Sequence, residues 1–489
     1  MNKPHSQPAA INRRSFLSQT SSAIAGGIAL SQLPIARFVH AAGGDTLKLA
    51  LIGCGGRGTG AADHNLNTHG LGELKLVAMA DAHRDKLEQS HAILSKKHGD
   101  RVDVSEGNKF VGLDAYKEAI QLADVVITAT PPGFRPMIFE EAVRQGKHVF
   151  MEKPVATDAP GVRRVLAAAL EAKKKNLKVA VGLQRHHQPN YLESMKRIHG
   201  GEIGDVIAMR CYWNGTPVGP KMRRADLEKK LGRPPTEMEY QIRNWYNFVW
   251  TCGDHINEQH IHNLDVMNWV KQGHPVKCHG MGGRAYLHEP DHGEIFDHHA
   301  VEYEYADGTH MFSQCRQIPG CVSDVSESIV GTKGTWSSDK GTTYPAFALR
   351  SHKGDLLWRY RAADGAIEEA SKKAKKASKK NPAPSTDDEL AVYRSNSSND
   401  GHQLEHFPLM EAIRKNEPYN EAENGAHSTL TAIMGRMATY SGKLVTWEEA
   451  INSKLDYFPE KLAFDAPTKL NPGPDGKYAF AMPGKSVAF

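Results

Sequence analysis

The stretch Lys48-Leu-Ala-Leu-Ile-Gly-Cys-Gly-Gly-Arg-Gly58 is an apolar run that continues into regularly spaced glycines. Gly53, Gly55 and Gly58 have the G-x-G-x-x-G spacing of a turn that leads from a strand into a helix. The first glycine permits the tight turn, the second lets the backbone approach a pyrophosphate, and the third lets the helix pack closely. The N–H groups that open the helix then face the phosphates. The stretch therefore predicts a dinucleotide-binding turn.

A second apolar strand, Leu74-Lys-Leu-Val-Ala-Met-Ala-Asp81, supports this interpretation because it ends in an acid. A carboxylate at this position of a dinucleotide-binding unit binds the adenosine ribose. Asp81 favours NAD over NADP, since a carboxylate repels a 2′-phosphate. Arg84 follows closely and leaves NADP possible. We therefore predict NAD as the cofactor.

Residues 46–184 alternate between apolar strands and helical patterns, which predicts an α/β Rossmann domain with a doubly wound parallel sheet. Strands are predicted at 46–53, 74–81, 109–111, 124–130, 147–152 and 178–184, and helices at 57–69, 84–98, 114–122, 135–146 and 159–175. Ligands of such sheets lie beyond the carboxyl ends of the strands. Thr130 and Pro131 follow the fourth strand and Lys153 follows the fifth, so they are expected to converge on the cofactor.

The pattern changes after residue 184. A helix is predicted at 189–199 and strands at 204–213, 276–286, 297–306, 308–317 and 323–331. Successive strands predict an α+β C-terminal domain with a large, mainly antiparallel open sheet. The expected division is a first domain at 44–184 and a second, for substrate and oligomerisation, at 185–489. Residues 363–400, rich in lysine and then in proline, serine and aspartate, read as a polar insertion.

The N-terminal 41 residues resemble an export signal. The pair Arg13-Arg14 precedes Phe16 and Leu17, and a moderately apolar run follows, as in twin-arginine signals. The run is too short to remain as a membrane anchor. A disordered tail with a chance arginine pair is the alternative. The segment has four basic residues and no acid, so the net charge of +5 falls to +1 without it. A nearly neutral protein gives no reason to expect nucleic acid as a partner.

The ordered set of the glycine turn, the Thr130-Pro131 pair and Glu152-Lys153-Pro154 resembles the Gfo/Idh/MocA family of oxidoreductases. The resemblance covers nearly the whole chain after the signal, apart from the insertion, and the signal resembles that of an exported branch. It implies that Glu152 lies in the cofactor site and that Lys153 lies between the nicotinamide and the substrate hydroxyl. It also implies a homo-oligomer, dimer or tetramer, formed through the open face of the second sheet.

The resemblance extends to residues 253–269, where the family places an acid four residues before a histidine and another acid three after it. Glu258, His262 and Asp265 occupy those positions. On one helix, residues four apart share a face, so Glu258 and His262 are expected to point together into the crevice. The family usually has aspartate where Glu258 stands. We predict His262 as general base, with Lys153 polarising the substrate oxygen.

His255, Glu258 and His262 would also share a helical face, which makes a zinc or manganese site conceivable. We predict no metal, because the oxidoreductase interpretation already uses Glu258 and His262.

Substrate residues are expected mainly between 211 and 250. The aromatic and cationic residues Trp213, Arg243 and Trp245 suit a sugar, whose C–H faces pack on rings while its hydroxyls form hydrogen bonds. Arg185 matches a family position near the substrate. Arg135 stands where the resemblance predicts histidine, and it either binds a phosphate or an acidic substrate or lies on a helix surface.

These observations predict a periplasmic or otherwise extracytoplasmic NAD-dependent oxidoreductase that acts on a secondary hydroxyl of a sugar or polyol. Because little free NAD exists outside the cytoplasm, the cofactor is expected to stay bound and be recycled. The alternative is a redox-neutral NAD-dependent glycosidase or lyase that acts through a transient keto-sugar. Lys153 favours the oxidoreductase, because the related glycosidases lack a lysine there. A non-catalytic sugar-binding protein would need Lys153 and His262 to be absent.

Overall fold

The computed structural model describes residues 46–338, 347–360 and 400–489. The first sheet has six parallel strands in the order β3-β2-β1-β4-β5-β6. They are β1 (Leu47–Ile52), β2 (Leu74–Asp81), β3 (Lys109–Val111), β4 (Val125–Thr128), β5 (His148–Met151) and β6 (Val179–Val181). The predicted doubly wound parallel sheet is therefore confirmed.

Both faces of this sheet are covered, which explains its continuous apolar strands. On β1, Leu49 and Leu51 enter one hydrophobic core while Ala50 and Ile52 enter another on the opposite face. The connecting helices are Gly56–Leu66, Arg84–His98, Tyr116–Gln121, Arg135–Arg144 and Ala159–Lys174, and short 3-10 turns span Asn67–Leu71, Gly99–Arg101, Glu106–Asn108 and Pro132–Phe134.

The second sheet has nine strands in the order β14-β13-β12-β11-β7-β10-β9-β8-β15. They are β7 (Val206–Gly215), β8 (Lys277–Gly283), β9 (His298–Glu304), β10 (His310–Gln317), β11 (Asp324–Gly331), β12 (Gly334–Ser337), β13 (Ala348–Ser351), β14 (Leu356–Arg359) and β15 (Val445–Thr446). All pairs are antiparallel except β7 with β10. The predicted mainly antiparallel sheet is confirmed, and the short strands β12 to β15 were not predicted.

One face of this second sheet is buried and the other is open. On β10, Met311, Ser313 and Cys315 are buried while Phe312 and Gln314 between them are exposed. The helices of this part are Pro189–His199, Arg224–Leu231, Glu237–Arg243, Val249–Cys252, His255–Glu258, Ile261–Lys271, Gly401–Leu404, His406–Lys415, Ala422–Ser441 and Trp447–Asn452, with 3-10 turns at Gln184–His187, Trp245–Asn247 and Pro290–His292.

Helix Ala422–Ser441 connects the two sheets. A Cβ at Gly425 would lie 2.9 Å from the Val181 side chain of β6, and one at Gly435 would lie 2.0 Å from the Tyr303 hydroxyl of β9. The glycines permit this close approach because any side chain there would displace its neighbour. The helix thus packs against a strand of each sheet.

The chain returns to the first sheet late in the sequence. Helix His406–Lys415 packs Leu409 and Met410 into the core that contains Leu49 and Leu51. The predicted signal segment, and the predicted insertion up to residue 399, lie outside the described residues. Within the part of the chain that the structure describes, no helix has the length and apolar character needed to cross a bilayer.

Candidate active site

In the glycine turn after β1, backbone atoms pack closely against Gly53 and Gly58, whereas Gly55 faces open space. A Cβ at Gly53, whose φ is +90°, would lie 2.6 Å from the Thr130 backbone nitrogen, and one at Gly58 would lie 1.8 Å from the Gly53 carbonyl oxygen. A Cβ at Gly55 meets nothing within 4 Å. The turn therefore leaves room beside the N-terminus of helix Gly56–Leu66, where N–H groups face an anion. These features fit a dinucleotide pyrophosphate.

The Asp81 carboxylate is fixed beside this turn by two backbone donors. Its Oδ2 accepts from the Cys54 N–H at 2.6 Å and its Oδ1 from the His83 N–H at 2.8 Å. Burial raises the pKa of Asp81, although these hydrogen bonds oppose the shift. The carboxylate is thus held at the carboxyl end of β2, the position from which it can accept ribose hydroxyls.

Lys153, directly after β5, contacts the carboxyl end of the short helix His255–Glu258. Its Nζ donates to the Glu258 carbonyl oxygen at 2.6 Å and lies 3.3 Å from Glu258 Oε1. Both side chains are about one-tenth exposed. Burial raises the pKa of Glu258 against the opposing charges of Lys153 and Arg135, and Glu258 Oε2 is buried without a hydrogen-bond partner among the described residues. The ammonium is therefore held by a desolvated carboxylate.

His262 lies near this pair with a neutral ring. Its imidazole stacks on the Trp213 indole with centroids 5.7 Å apart, and its Nδ1 is buried without a partner among the described residues. Burial lowers the pKa of His262 well below its ordinary value, and the charges of Lys153 and Arg185 add to that shift. A neutral, desolvated imidazole beside a lysine ammonium can accept a proton from a hydroxyl.

Glu258 and His262 do not share one helix. Helix His255–Glu258 ends at Glu258, and helix Ile261–Lys271 begins after a two-residue break. At the break the His260 N–H donates to the His255 carbonyl, five residues back instead of four. The predicted single helix is wrong in this respect. Even so, Glu258 contacts Lys153 directly, and His262 near the start of the next helix stacks on Trp213.

Arg185 joins Trp213 as a predicted substrate residue that lies beside His262. Its guanidinium forms a buried ion pair with Glu327 and lies 6.0 Å from the Trp213 ring centroid and 5.4 Å from that of Tyr191. Arg185 and Trp213 therefore line the same region as His262.

The other three predicted substrate residues each contact different neighbours. Asp265 is buried and accepts hydrogen bonds from His186 at 2.8 Å and from Ser428 at 2.8 Å. Trp245 packs its ring against the neighbouring Tyr246. Arg243 forms an ion pair with Asp85 at 3.3 Å, on the Asp81 side of the crevice. Asp265 lies one turn after His262 on helix Ile261–Lys271, whereas neither Trp245 nor Arg243 contacts His262 among the described residues.

Two arginines have roles that the sequence did not reveal. Arg57 of the glycine turn forms an ion pair with Glu152 and another, at 3.0 Å, with Glu405. Glu405 is fully buried and 348 residues away, so no local pattern could have indicated it. Although burial opposes the shift, Arg57 lowers the pKa of Glu152. The predicted cofactor residue Glu152 is therefore held as a carboxylate.

Arg135 is the second arginine whose role the sequence did not reveal. The interpretation of Arg135 as a surface residue is wrong, because it is buried and donates to the Pro154 carbonyl. Burial lowers its pKa to about 10. Its contact with Pro154 fixes the residue that follows Lys153.

His255 and His260, on either side of Glu258 in the sequence, form hydrogen bonds with different partners. The Nδ1 of His255 lies 2.9 Å from the Tyr246 hydroxyl, and His260 bonds to Ser313 at 2.7 Å. Among the residues that the structure describes, no group of three or more histidine, cysteine or acidic side chains could hold a metal ion.

Comparison with known proteins agrees with this geometry. Residues 47–183 match the Gfo/Idh/MocA family, described as an oxidoreductase family with an NAD-binding Rossmann fold. This part of the chain is therefore similar to the NAD-binding domain of that family. The first sheet and its glycine turn are those of an NAD-binding Rossmann domain of the oxidoreductase type.

Relatives of this chain include an inositol 2-dehydrogenase from Ralstonia nicotianae, 26% identical over 295 residues, which cover 59% of this chain and 73% of the relative. Among solved structures, scyllo-inositol dehydrogenase from Lactobacillus casei with bound NAD(H) and scyllo-inositol has a TM-score of 0.56 at 19% identity, covering 83% of this chain and all of that one. An aldose-aldose oxidoreductase from Caulobacter crescentus has a TM-score of 0.57 at 20% identity, covering 82% and 100%. At these identities the structures establish the shared fold.

The glycine turn gives a direct test of cofactor binding by this protein. Gly58→Ala forces a Cβ to within 1.8 Å of the Gly53 carbonyl, so the turn must open. Overpacking of this kind costs about 1–3 kcal/mol, and we expect NAD affinity to fall by roughly 10- to 100-fold in a titration. Gly60→Ala is the matched control, because its Cβ meets only Arg57, at 3.7 Å. Equal NAD affinity in the two variants would contradict the assignment of this turn.

Proposed function

We propose that the protein is an exported enzyme that oxidises or reduces a secondary hydroxyl of a sugar or polyol and keeps its NAD bound between turnovers. The observation that carries this proposal is the contact of Lys153, directly after β5, with Glu258, together with the buried His262 ring that stacks on Trp213. Lys153 Nζ lies 3.3 Å from Glu258 Oε1. Burial, together with the charge of Lys153, lowers the pKa of His262, so its ring is neutral.

The chemistry follows from the states of these side chains. Bound NAD supplies the hydride acceptor. The neutral His262 imidazole takes the hydroxyl proton, while the Lys153 ammonium hydrogen-bonds to the same oxygen and stabilises the negative charge that develops there. The substrate carbon loses its hydrogen with both electrons and becomes a carbonyl carbon. Glu258 positions the ammonium through the contact with its Oε1.

The polyol or sugar class is supported by the surroundings of His262. The Trp213 ring offers an apolar face for C–H groups, and the Arg185 guanidinium beside it is a donor for hydroxyls. The inositol dehydrogenases among the relatives favour a cyclic polyol as the first compound to try.

Export and oligomer formation complete the proposal. The twin-arginine pattern of residues 12–17 supports an extracytoplasmic location, and retained NAD follows from the scarcity of free cofactor there. The open face of the second sheet exposes several apolar side chains, which supports a homo-oligomer formed through that face. They are Ile207, Met281, Phe312 and Val325.

The proposed function is tested on the purified protein with its bound nucleotide. We expect the bound NAD to become reduced when myo-inositol, scyllo-inositol or a free aldose is added, followed by absorbance, and to be reoxidised by a second carbonyl compound. If a glycoside is cleaved while the bound NAD stays oxidised at steady state, the redox-neutral glycosidase or lyase is the correct function.

The pH dependence of kcat/KM gives a further expected result. Because the pKa of His262 is lowered, the ring loses its proton at a lower pH than a free histidine does. Activity needs the unprotonated ring, so kcat/KM should stay level as the pH falls through about 6.5 and decrease only below it. A decrease that already begins between pH 8 and 7 would exclude His262 as the base.

A further inference from the structure

The residues after β2 surround the adenosine end of the cofactor site. Asp81 is held there by the Cys54 and His83 N–H groups, and His83 and Asp85 follow it at alternate positions. Because ligands of a doubly wound sheet lie beyond the carboxyl ends of its strands, these three side chains flank the adenosine.

Two cationic side chains from helices after residue 184 contact the residues that follow β2, and we call this region the junction. Lys230, in helix Arg224–Leu231, lies with its Nζ 2.7 Å from Asp85 Oδ2. Arg243, at the end of helix Glu237–Arg243, places its two terminal nitrogens 3.3 Å from the two oxygens of the same carboxylate. The Arg243 side chain is only 10% exposed, whereas the Asp85 side chain that it contacts is 45% exposed. Asp85 therefore connects the first sheet to two helices of the second part.

The C-terminal segment adds an aromatic contact. The Phe464 ring stacks on His83 with centroids 6.1 Å apart and an interplanar angle of 29°. The segment is itself fixed to helix Glu237–Arg243, because Thr236 Oγ1 donates to the Phe464 carbonyl at 2.5 Å and Gln241 Nε2 donates to the Leu470 carbonyl at 2.8 Å. The two helices and the C-terminal segment thus meet the first sheet together.

Two buried nitrogens at this junction are unused. Neither His83 Nε2 nor Arg243 Nε has a hydrogen-bond partner among the described residues. Burial lowers the pKa of His83 to about 4, so its ring is neutral at neutral pH. A buried polar atom without a partner is unfavourable, and a ligand that hydrogen-bonds to it gains stability. Both atoms are therefore available to an adenosine.

We propose that Lys230, Arg243 and Phe464 form a clasp that closes over the adenosine end of NAD and makes its release slow. Arg243, predicted from the sequence to contact substrate, is assigned to the cofactor instead. The inference rests on the proposed function, in which NAD is retained, and it assigns that retention to named residues of the second part of the chain.

The clasp is tested with the holoprotein by measuring bound NAD per chain and the rate of exchange with an excess of isotopically labelled NAD. Lys230→Ala and Phe464→Ala each remove one contact from outside the first sheet. We expect each to speed NAD release several-fold, and the double variant about tenfold or more. Thermal unfolding of each variant is followed in parallel.

Matched controls are Lys173→Ala, which breaks a surface ion pair with Glu423, and Phe480→Ala, which removes a half-exposed ring near Arg284. Both should release NAD at the wild-type rate. If the double variant also exchanges at that rate, the clasp does not exist. Should Phe464→Ala unfold, Phe464→Leu and the half-exposed Lys230→Ala still decide the question. Exchange needs no substrate, so failure of every polyol to reduce bound NAD would refute the proposed function and leave the clasp standing.

Discussion

Replacement of His262 by glutamine should lower kcat by about 100- to 10,000-fold, the range for loss of a positioned general base. Glutamine is similar in size and polar, so it keeps the contact with Trp213 but cannot take a proton. The NAD site at the glycine turn is untouched, and KM should change little because the interaction is made chiefly in the transition state. Steady-state kinetics and bound NAD per chain measure both effects.

His260→Gln is the matched control. His260 is a buried histidine two residues away that bonds to Ser313 on β10. We expect this variant to lose thermal stability while it keeps most of its turnover per folded molecule. If His262→Gln raises KM alone and leaves kcat intact, His262 binds substrate and is not the base.

Replacement of Lys153 by methionine should lower kcat by about 100- to 1,000-fold, as removal of one group that stabilises developing oxyanion charge does. A second effect follows from the structure. Glu258 is only 9% exposed and would lose the cation that faces it. An uncompensated buried carboxylate costs about 3–5 kcal/mol unless it becomes protonated, so the variant should also unfold at a lower temperature.

The double variant Lys153→Met/Glu258→Gln separates the two effects. The amide removes the unpaired charge, so thermal stability should largely return while turnover stays low. Recovery of turnover along with stability would mean that Lys153 acts only by neutralising Glu258. Persistent instability in the double variant would contradict the importance of this ion pair.

The sequence predicted the first sheet well because its strands lie in apolar runs between clear helical patterns. β2 and helix Arg84–His98 have the predicted bounds. β12 to β15 are two to four residues long and mix polar with apolar residues, so they show neither a continuous apolar run nor an alternation. Their pairing depends on a neighbouring strand, which the local sequence does not contain.

The same distinction applies to the site. Lys153 and the glycine turn lie in local motifs, and the structure brings Lys153 to Glu258 as expected. The contact between Arg57 and Glu405 arises only because a late helix returns to the first sheet. The position of Arg243 beside Asp85 depends likewise on the path of the second part over β2. The aromatic and cationic residues around Arg243 suggested that it binds a sugar, but the tertiary fold determines which ligand the Arg243 side chain can contact.

The most direct test of the central claim, that a substrate C–H hydrogen passes to bound NAD as His262 takes the hydroxyl proton, is a single turnover with a polyol that carries deuterium on the carbon bearing the reacting hydroxyl. Mass spectrometry of the extracted cofactor should show reduced nicotinamide containing the deuterium in the wild-type protein, and almost none in His262→Gln at the same bound NAD content. Reduced cofactor without deuterium, or equal transfer in both proteins, would contradict this account.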